Sequence, residues 1–147
     1  MESKIFLYPD QFSEKERTVL TFGGLQASLF RFDSGVCAIR MKNENGEILV
    51  LPYQGQQIWR MSFLGHDLTM RSMFEEPIPT QLFHANYGMF LLHCGLTAMG
   101  NPTAQDTHPQ HGELPFAPFS DAYLTNGEDE RGRFLCAGGS YRHTRAL

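Results

Sequence analysis

Four histidines and one glutamate lie within a short stretch of the sequence and are the residues best suited to do chemistry. They are His84, His93, His108, His111 and Glu113. Imidazole and carboxylate groups are the side chains that transfer protons or bind metal ions near neutral pH. An apolar run leads to His93, and a segment rich in Pro, Asn and Gly then leads to His111 and Glu113. The spacing therefore predicts that the functional site lies within residues 84–115.

The order of several short motifs around these residues resembles a known family. Tyr87-Gly88 is followed by His93, and then by a crossing rich in Gly and Asn and by His111-Gly112. This order resembles the central block of the aldose 1-epimerase (galactose mutarotase) family. A bacterial branch of the same superfamily is more similar still, and the resemblance covers roughly residues 20–145. The strings that carry it are LPYQGQQIW at 51–59, LTMRSMFEEP at 68–77 and GLTAMGNPTAQDTHPQHGELP at 95–115.

The resemblance implies an acid–base reaction on a monosaccharide or sugar derivative, without a cofactor. Interconverting the anomers of an aldose requires a base to remove the proton of the C1 hydroxyl and an acid to protonate the ring oxygen. The resemblance places His111 near that ring oxygen, as a catalytic residue. Glu113 is the second catalytic candidate, because a carboxylate close in sequence can orient the imidazole of His111 or His108.

Four further residues are candidates for binding the sugar, namely His93, His108, Arg71 and Arg60. His93 stands where the resembled family has a sugar-binding arginine. An imidazole cannot reproduce the bidentate, permanently charged contact of a guanidinium. The departure therefore implies a different sugar or a different reaction. The resemblance places Arg60 and Arg71 on segments beside the cleft.

The resemblance also bears on chain length. Chains of that superfamily are considerably longer, and their second catalytic histidine and their glutamate base lie in the half that would follow Leu147. We therefore expect residues 1–147 to form a single domain that resembles the N-terminal half of such a sandwich, with weakened catalysis. Half a sandwich exposes apolar faces and sheet edges, so a homo-oligomer is expected.

Two other interpretations compete with an epimerase. His108, His111 and Glu113, joined by His84 or His93, would be ligands for Zn²⁺, Mn²⁺ or Fe²⁺, as in small sugar isomerases of the cupin type. That type has two histidines one residue apart and a glutamate several residues later, and the spacing here differs at both points. The spacing therefore favours a site without metal. The third interpretation is a non-catalytic domain for sugar binding or assembly.

Composition limits the classes of partner. The chain has 147 residues, 41% of them hydrophobic, and a formal net charge of −4 without a basic run. These values indicate a chain able to bury a core and argue against nucleic acid as a partner. The sequence contains neither an apolar run of membrane-spanning length nor a signal-peptide pattern at its start, so we expect a cytoplasmic protein that does not bind membranes. Cys37, Cys94 and Cys136 are expected to be free, buried thiols.

The sequence pattern indicates that strands separated by turns position the candidate site. Alternating apolar residues and turn signals predict an antiparallel β-sandwich with little helix. Trp59 and the methionines Met61, Met70 and Met73 are expected in the core. The predicted strands are 18–22, 26–32, 36–42, 47–51, 57–63, 67–70, 83–92, 122–125 and 133–141, with one helical turn at 10–16 and a hairpin tip at 128–131.

Overall fold

The computed structural model describes residues 2–144 and shows an all-β fold. Strands contain 44% of the residues and short helical turns 6%, so the predicted all-β class is confirmed. Two antiparallel sheets are formed, one of six strands and one of three. The strands are β1 (Ser3–Leu7), β2 (Arg17–Phe22), β3 (Leu25–Arg31), β4 (Cys37–Asn43), β5 (Gly46–Leu51), β6 (Gln57–Phe63), β7 (His66–Asp67), β8 (Asp121–Asp129) and β9 (Gly132–Ser140), and short 3₁₀ turns lie at Pro9–Gln11, Phe83–Ala85 and Leu114–Phe116.

The six-stranded sheet is a continuous meander in which β2 to β7 pair in sequence order. Turn chemistry sets its register. Between β2 and β3, Gly23 and Gly24 both have positive φ, as a tight two-residue hairpin requires. Between β4 and β5, the side-chain oxygen of Asn43 accepts hydrogen bonds from the backbone N–H groups of Asn45 and Gly46, at 2.9 and 3.1 Å. The predicted strands between residues 18 and 63 are confirmed as β2 to β6, although β7 is shorter than the predicted strand 67–70.

The three-stranded sheet joins the two ends of the chain. β1 pairs along its whole length with β8, and β8 pairs with β9 in a long hairpin. The tip of that hairpin lies where the acidic run predicted it, between Asp129 and Gly132. β1 is not among the predicted strands, because Ser3–Leu7 is mostly exposed and lacks alternation of buried and polar residues.

The two sheets pack face to face, which gives the expected sandwich. The core between them consists of side chains from both sheets, with Leu29 and Ile39 from the large sheet against Leu124 from the small sheet. All three are at most 1% exposed. Burial of this apolar surface is the main force that holds the sheets together.

The large sheet also buries its second face, and here the cover is a long connection rather than a sheet. Leu51 and Trp59 from β5 and β6 are fully buried there, against Met89 and Phe116 from the segment between β7 and β8. The placement of Trp59 in the core is therefore confirmed. This second core fixes the position of residues 68–120, which contain most of the candidate site residues.

Within residues 68–120 the predicted strand 83–92 is wrong. Phe83–Ala85 is a 3₁₀ turn, and the later residues form only an isolated bridge between Leu91 and Ile58. Gly88, with φ of 108°, interrupts the extended backbone that a strand needs. The predicted helical turn 10–16 likewise reduces to the 3₁₀ turn Pro9–Gln11.

Several burial predictions are also wrong. Cys94 and Cys136 are exposed and only Cys37 is partly buried, although all three thiols are free as expected. Met70 and Met73 are 52% and 87% exposed, because they follow the short β7 in irregular chain rather than lying on a strand.

Along residues 2–144, no helix has the length and apolar character needed to cross a membrane.

Candidate functional site

An open cleft of about 1190 Å³ lies beside the second core. Three segments form its walls, namely the turn around residues 81–85, the loop and turn from 97 to 118, and the chain after β9. Its polar and aromatic lining side chains include Gln81, Phe83, His84, Thr97, Gln105, Asp106, His108, Gln110, Glu113, Phe116, Tyr141 and His143. The cleft therefore combines aromatic rings with imidazole, carboxylate and amide groups.

Most of the polar wall comes from residues 95–113, which we call the cleft loop. Gly95 and Gly112 form an isolated parallel bridge that closes it, and we call this closure the neck. The N–H of Gly95 donates to the carbonyl of His111 at 2.8 Å, and the N–H of Glu113 donates to the carbonyl of Gly95 at 3.1 Å. The segment 96–111 between the two bridge residues has ends that lie close together, as in an Ω-loop, a type that is frequently functional.

Positive φ angles gather at the neck. Leu96 has φ of 115° and His111 has φ of 62°, in the left-handed region that residues other than glycine rarely adopt. Their neighbours Gly95 and Gly112 have φ of 93° and 86°. Such strained backbone persists only where surrounding contacts enforce it. The neck therefore holds the cleft loop in one defined conformation.

Glu113 is anchored by Thr97 on the opposite side of the neck. The N–H of Thr97 donates to Oε2 of Glu113 at 3.1 Å, and the Thr97 hydroxyl donates to Oε1. The carboxyl side chain is only 8% exposed. The hydroxyl bond from Thr97 is the main cause that lowers the pKa of Glu113 below its ordinary 4.5, against the opposing effect of burial. The group is thus an ionised hydrogen-bond acceptor near neutral pH.

His143 completes this side of the cleft. Its Nε2 lies 3.8 Å from Oε1 of Glu113, and its Nδ1 lies 3.0 Å from the hydroxyl of Tyr141. The β8–β9 hairpin returns the chain to the cleft, where the N–H of Ser120 donates to the carbonyl of Ser140 at 2.9 Å. His143 is not among the site residues that the sequence predicts. The register of the β8–β9 hairpin brings His143 close to Glu113, and no local sequence motif predicts this contact.

Phe83 is the centre of a cluster of aromatic rings at the cleft. Its ring lies 5.4 Å from that of Tyr87, 4.7 Å from that of His111 and 6.3 Å from that of Phe116. The ring of His84, the next residue, lies 5.5 Å away and also lines the cleft. Of these rings, Phe83, His84 and Phe116 line the cleft, whereas Tyr87 and His111 do not.

Two titratable residues of the cleft loop are bound to their own neighbours. Nδ1 of His108 lies 2.8 Å from the carbonyl of Pro109, a hydrogen bond in which the ring nitrogen is the donor. Asp106 accepts hydrogen bonds from the N–H and the hydroxyl of Thr103, both at 2.7 Å. The hydroxyl bond is the largest of the causes that lower the pKa of Asp106.

The two residues assigned a catalytic role occupy different positions. Glu113 lines the cleft, whereas His111 is not among the lining side chains. The imidazole of His111 packs against Phe83, and its backbone N–H donates to the carbonyl of Gly100 at 2.8 Å. His111 therefore supports the cleft loop and the aromatic wall.

The predicted sugar-binding residues divide in the same way. His108 lines the cleft, but Arg60, Arg71 and His93 do not. Arg71 and His93 are exposed elsewhere on the surface. Arg60 donates to the carbonyls of Phe74 and Gly88 at 2.8 and 3.2 Å, and its guanidinium lies over the Trp59 ring at 4.3 Å. Arg60 thus ties two parts of the long connection to β6.

The arrangement gives no support to the alternative of a metal-dependent isomerase. Across residues 2–144, no group of three or more His, Cys, Asp or Glu side chains is placed to hold a metal ion. The imidazole of His111 packs against the ring of Phe83. The carboxylate of Glu113 accepts a hydrogen bond from Thr97 and lies beside His143. The ligand set that the sequence suggested is therefore separated by the fold.

Comparison with models of protein families, with curated proteins and with solved structures found no match to this chain.

Proposed function

We propose that this protein binds a monosaccharide or a sugar derivative in the cleft. The observation that carries the proposal is Glu113, a carboxylate fixed by Thr97 in the wall of a cleft that aromatic rings also line. A carboxylate accepts hydrogen bonds from hydroxyl groups, and aromatic faces cover the apolar faces of a ring. The motif order that resembles the mutarotase family agrees with the same ligand class.

The size and lining of the cleft fit such a ligand. Its volume of about 1190 Å³ exceeds the need of one sugar ring, so part of it is left to solvent or to a further substituent. Amide groups from Gln81, Gln105 and Gln110 add donors and acceptors around the rim. Phe83, which is half-buried, offers apolar surface at the wall.

A second candidate function is the ring-opening epimerisation that the resemblance implies. The pairing of His143 with both Glu113 and Tyr141 favours it, because an imidazole held between two partners can accept and return a proton. In this version His143 takes the acid–base role and Glu113 orients it. The lowered pKa of Glu113 makes that carboxylate a weak base.

Binding and turnover are tested together by NMR. Saturation-transfer difference experiments detect binding of glucose, galactose and their methyl glycosides, and saturation transfer between the α and β anomers measures exchange. We expect binding by the wild-type chain and a loss of about tenfold or more in Glu113→Gln, since the variant loses the charged acceptor. Glu44→Gln, at an exposed turn, is the matched control and should bind like the wild type.

The outcomes separate the two candidates. Binding without anomer exchange supports a sugar-binding domain. Exchange that His143→Gln abolishes, with binding kept, supports an epimerase that works through His143. Absence of binding to every sugar tested contradicts the proposed function.

A further inference from the structure

The cleft has acceptors and aromatic rings, and among the described residues its possible cations are limited to the imidazoles of His84, His108 and His143. Among its lining residues within the described part of the chain, Asp106 and Glu113 are carboxylates and none is Lys or Arg. Proteins recognise phosphate and carboxylate groups mainly through Arg, Lys and free backbone N–H groups. The side chains of the cleft therefore disfavour an anionic ligand.

Five backbone donors at the neck are already used. The N–H groups of Gly95, His111 and Gly112 donate to carbonyls of the cleft loop at 2.8, 2.8 and 2.9 Å. The N–H of Thr97 donates to Glu113, and the N–H of Leu114 donates to Gly95 at 3.3 Å. A neck with positive φ angles can form an anion-binding nest, but here its donors point to internal partners.

Glu113 and its surroundings suit a cation instead. The carboxylate is ionised, each of its oxygens has a second lone pair besides the one used by Thr97, and the half-buried rings of Phe83 and Tyr141 line the same cleft. An ammonium group gains both from a carboxylate and from aromatic faces. We propose that the cleft prefers an amine-bearing monosaccharide, such as glucosamine, over neutral sugars, and that it rejects phosphorylated and carboxylated sugars.

This inference rests on the proposed function and names its ligand class. The test compares the affinities of glucosamine, glucose, N-acetylglucosamine and glucose 6-phosphate by NMR titration, at a pH that keeps the amine protonated. We expect glucosamine to bind about tenfold more tightly than glucose, because one charge-assisted contact is gained. N-acetylglucosamine should lose this advantage, and glucose 6-phosphate should bind least.

Two further measurements assign the preference to Glu113. Glu113→Gln should bind glucosamine no better than glucose, whereas the control Glu44→Gln should keep the wild-type order. Added salt should reduce the advantage of glucosamine in the unmodified protein, since the contact is ionic and the cleft is open. The salt experiment needs no variant and stands even where Glu113→Gln fails to fold.

The results distinguish failure of the inference from failure of the proposed function. Equal binding of glucosamine and glucose, tighter binding of glucose 6-phosphate, or an amine preference that persists in Glu113→Gln overturns the inference and leaves sugar binding intact. Cyclohexylamine carries an amine but no sugar hydroxyl groups. If it binds as tightly as glucosamine, the proposed function is overturned, because the cleft would then bind the amine without recognising the sugar. Absence of binding to all five compounds overturns both.

Discussion

Glu113 and His143 meet although neither the sequence motif nor the chain order brings them together. The motif around residues 108–113 predicted a catalytic Glu113 that orients His111 or His108, whereas in the structure Glu113 lines the cleft and lies beside His143. His111 has a left-handed backbone, which directs its imidazole to Phe83. Side-chain direction in irregular chain depends on φ and ψ, which composition and spacing do not reveal.

The ionised state of Glu113 predicts a pH-dependent stability. Its pKa is lowered in the folded state, mainly by the Thr97 hydroxyl, and the unfolded chain keeps the ordinary value of 4.5. The stabilisation is therefore fully present above that value and is lost as the pH falls through the lowered folded pKa. Glu113→Gln should unfold more easily than the wild type near neutral pH, and the difference should shrink in acid.

Urea unfolding at a series of pH values measures this difference in the free energy of unfolding. His143 is the other titratable group in contact with the carboxylate, so His143→Gln is measured in parallel to separate its contribution. Glu44→Gln should show no such pH trend. A constant gap between Glu113→Gln and wild type at all pH values would show that the carboxylate adds no ionic stabilisation.

At the level of elements, the neck of the cleft loop depends on one glycine. A Cβ on Gly112 would lie 2.4 Å from the carbonyl oxygen of Ala98 and 2.5 Å from that of Gly95. Both atoms belong to backbone that is itself held at the neck, so they cannot yield without opening the loop. Gly112 is the residue whose replacement tests the loop as a unit.

We expect Gly112→Ala to destabilise the protein by more than about 2 kcal/mol, from the left-handed backbone and the clash together. Gly35→Ala is a matched control, because Gly35 has φ of 89° and open space around the position of a Cβ. That variant should show only the conformational cost of about 1–2 kcal/mol. Equal thermal shifts in the two variants would contradict the clash.

The sequence predicted the elements of the sandwich better than those of the long connection. Strands β2 to β6 carry their own turn signals, so local residues decide where each begins and ends. Residues 83–92 carried an apolar pattern that resembled a strand, yet Phe83, Met89 and Leu92 pack into the second core without a partner strand, and Phe90 and Leu91 are exposed. An apolar pattern indicates that side chains are buried. Tertiary contacts decide whether the backbone that carries them is a strand or an irregular segment.

On the scale of the whole molecule, Tyr53 connects the two sheets. It follows β5 of the large sheet, and its hydroxyl donates to the carbonyl of Leu7, the last residue of β1, at 2.9 Å. Its ring lies edge-on to Phe12 at 5.9 Å. Burial, with added repulsion from nearby acidic groups, raises the pKa of Tyr53 to about 12. The phenol is therefore neutral in the folded protein.

Tyr53→Phe should lower the free energy of unfolding near neutral pH by about 1 kcal/mol, through loss of one hydrogen bond. The raised pKa adds an alkaline signature. The neutral phenol stabilises the wild type below its ordinary value of 10.0, and this contribution is lost as the pH rises towards about 12.

The variant should lack that alkaline loss, as followed by urea unfolding at increasing pH. Tyr8→Phe, at a tyrosine that is 59% exposed, is the control. A wild type and variant that lose stability in parallel above pH 10.0 would contradict the raised pKa.

The neck of the cleft loop also bears on how such a protein can diverge. Because Gly95 and Gly112 lie side by side, residues 96–111 leave and rejoin the chain at nearly one point. Insertions, deletions or exchanges inside that segment therefore leave the registers of both sheets unchanged. Selection can alter the lining of the cleft by replacing one stretch of chain, while the sandwich is inherited intact.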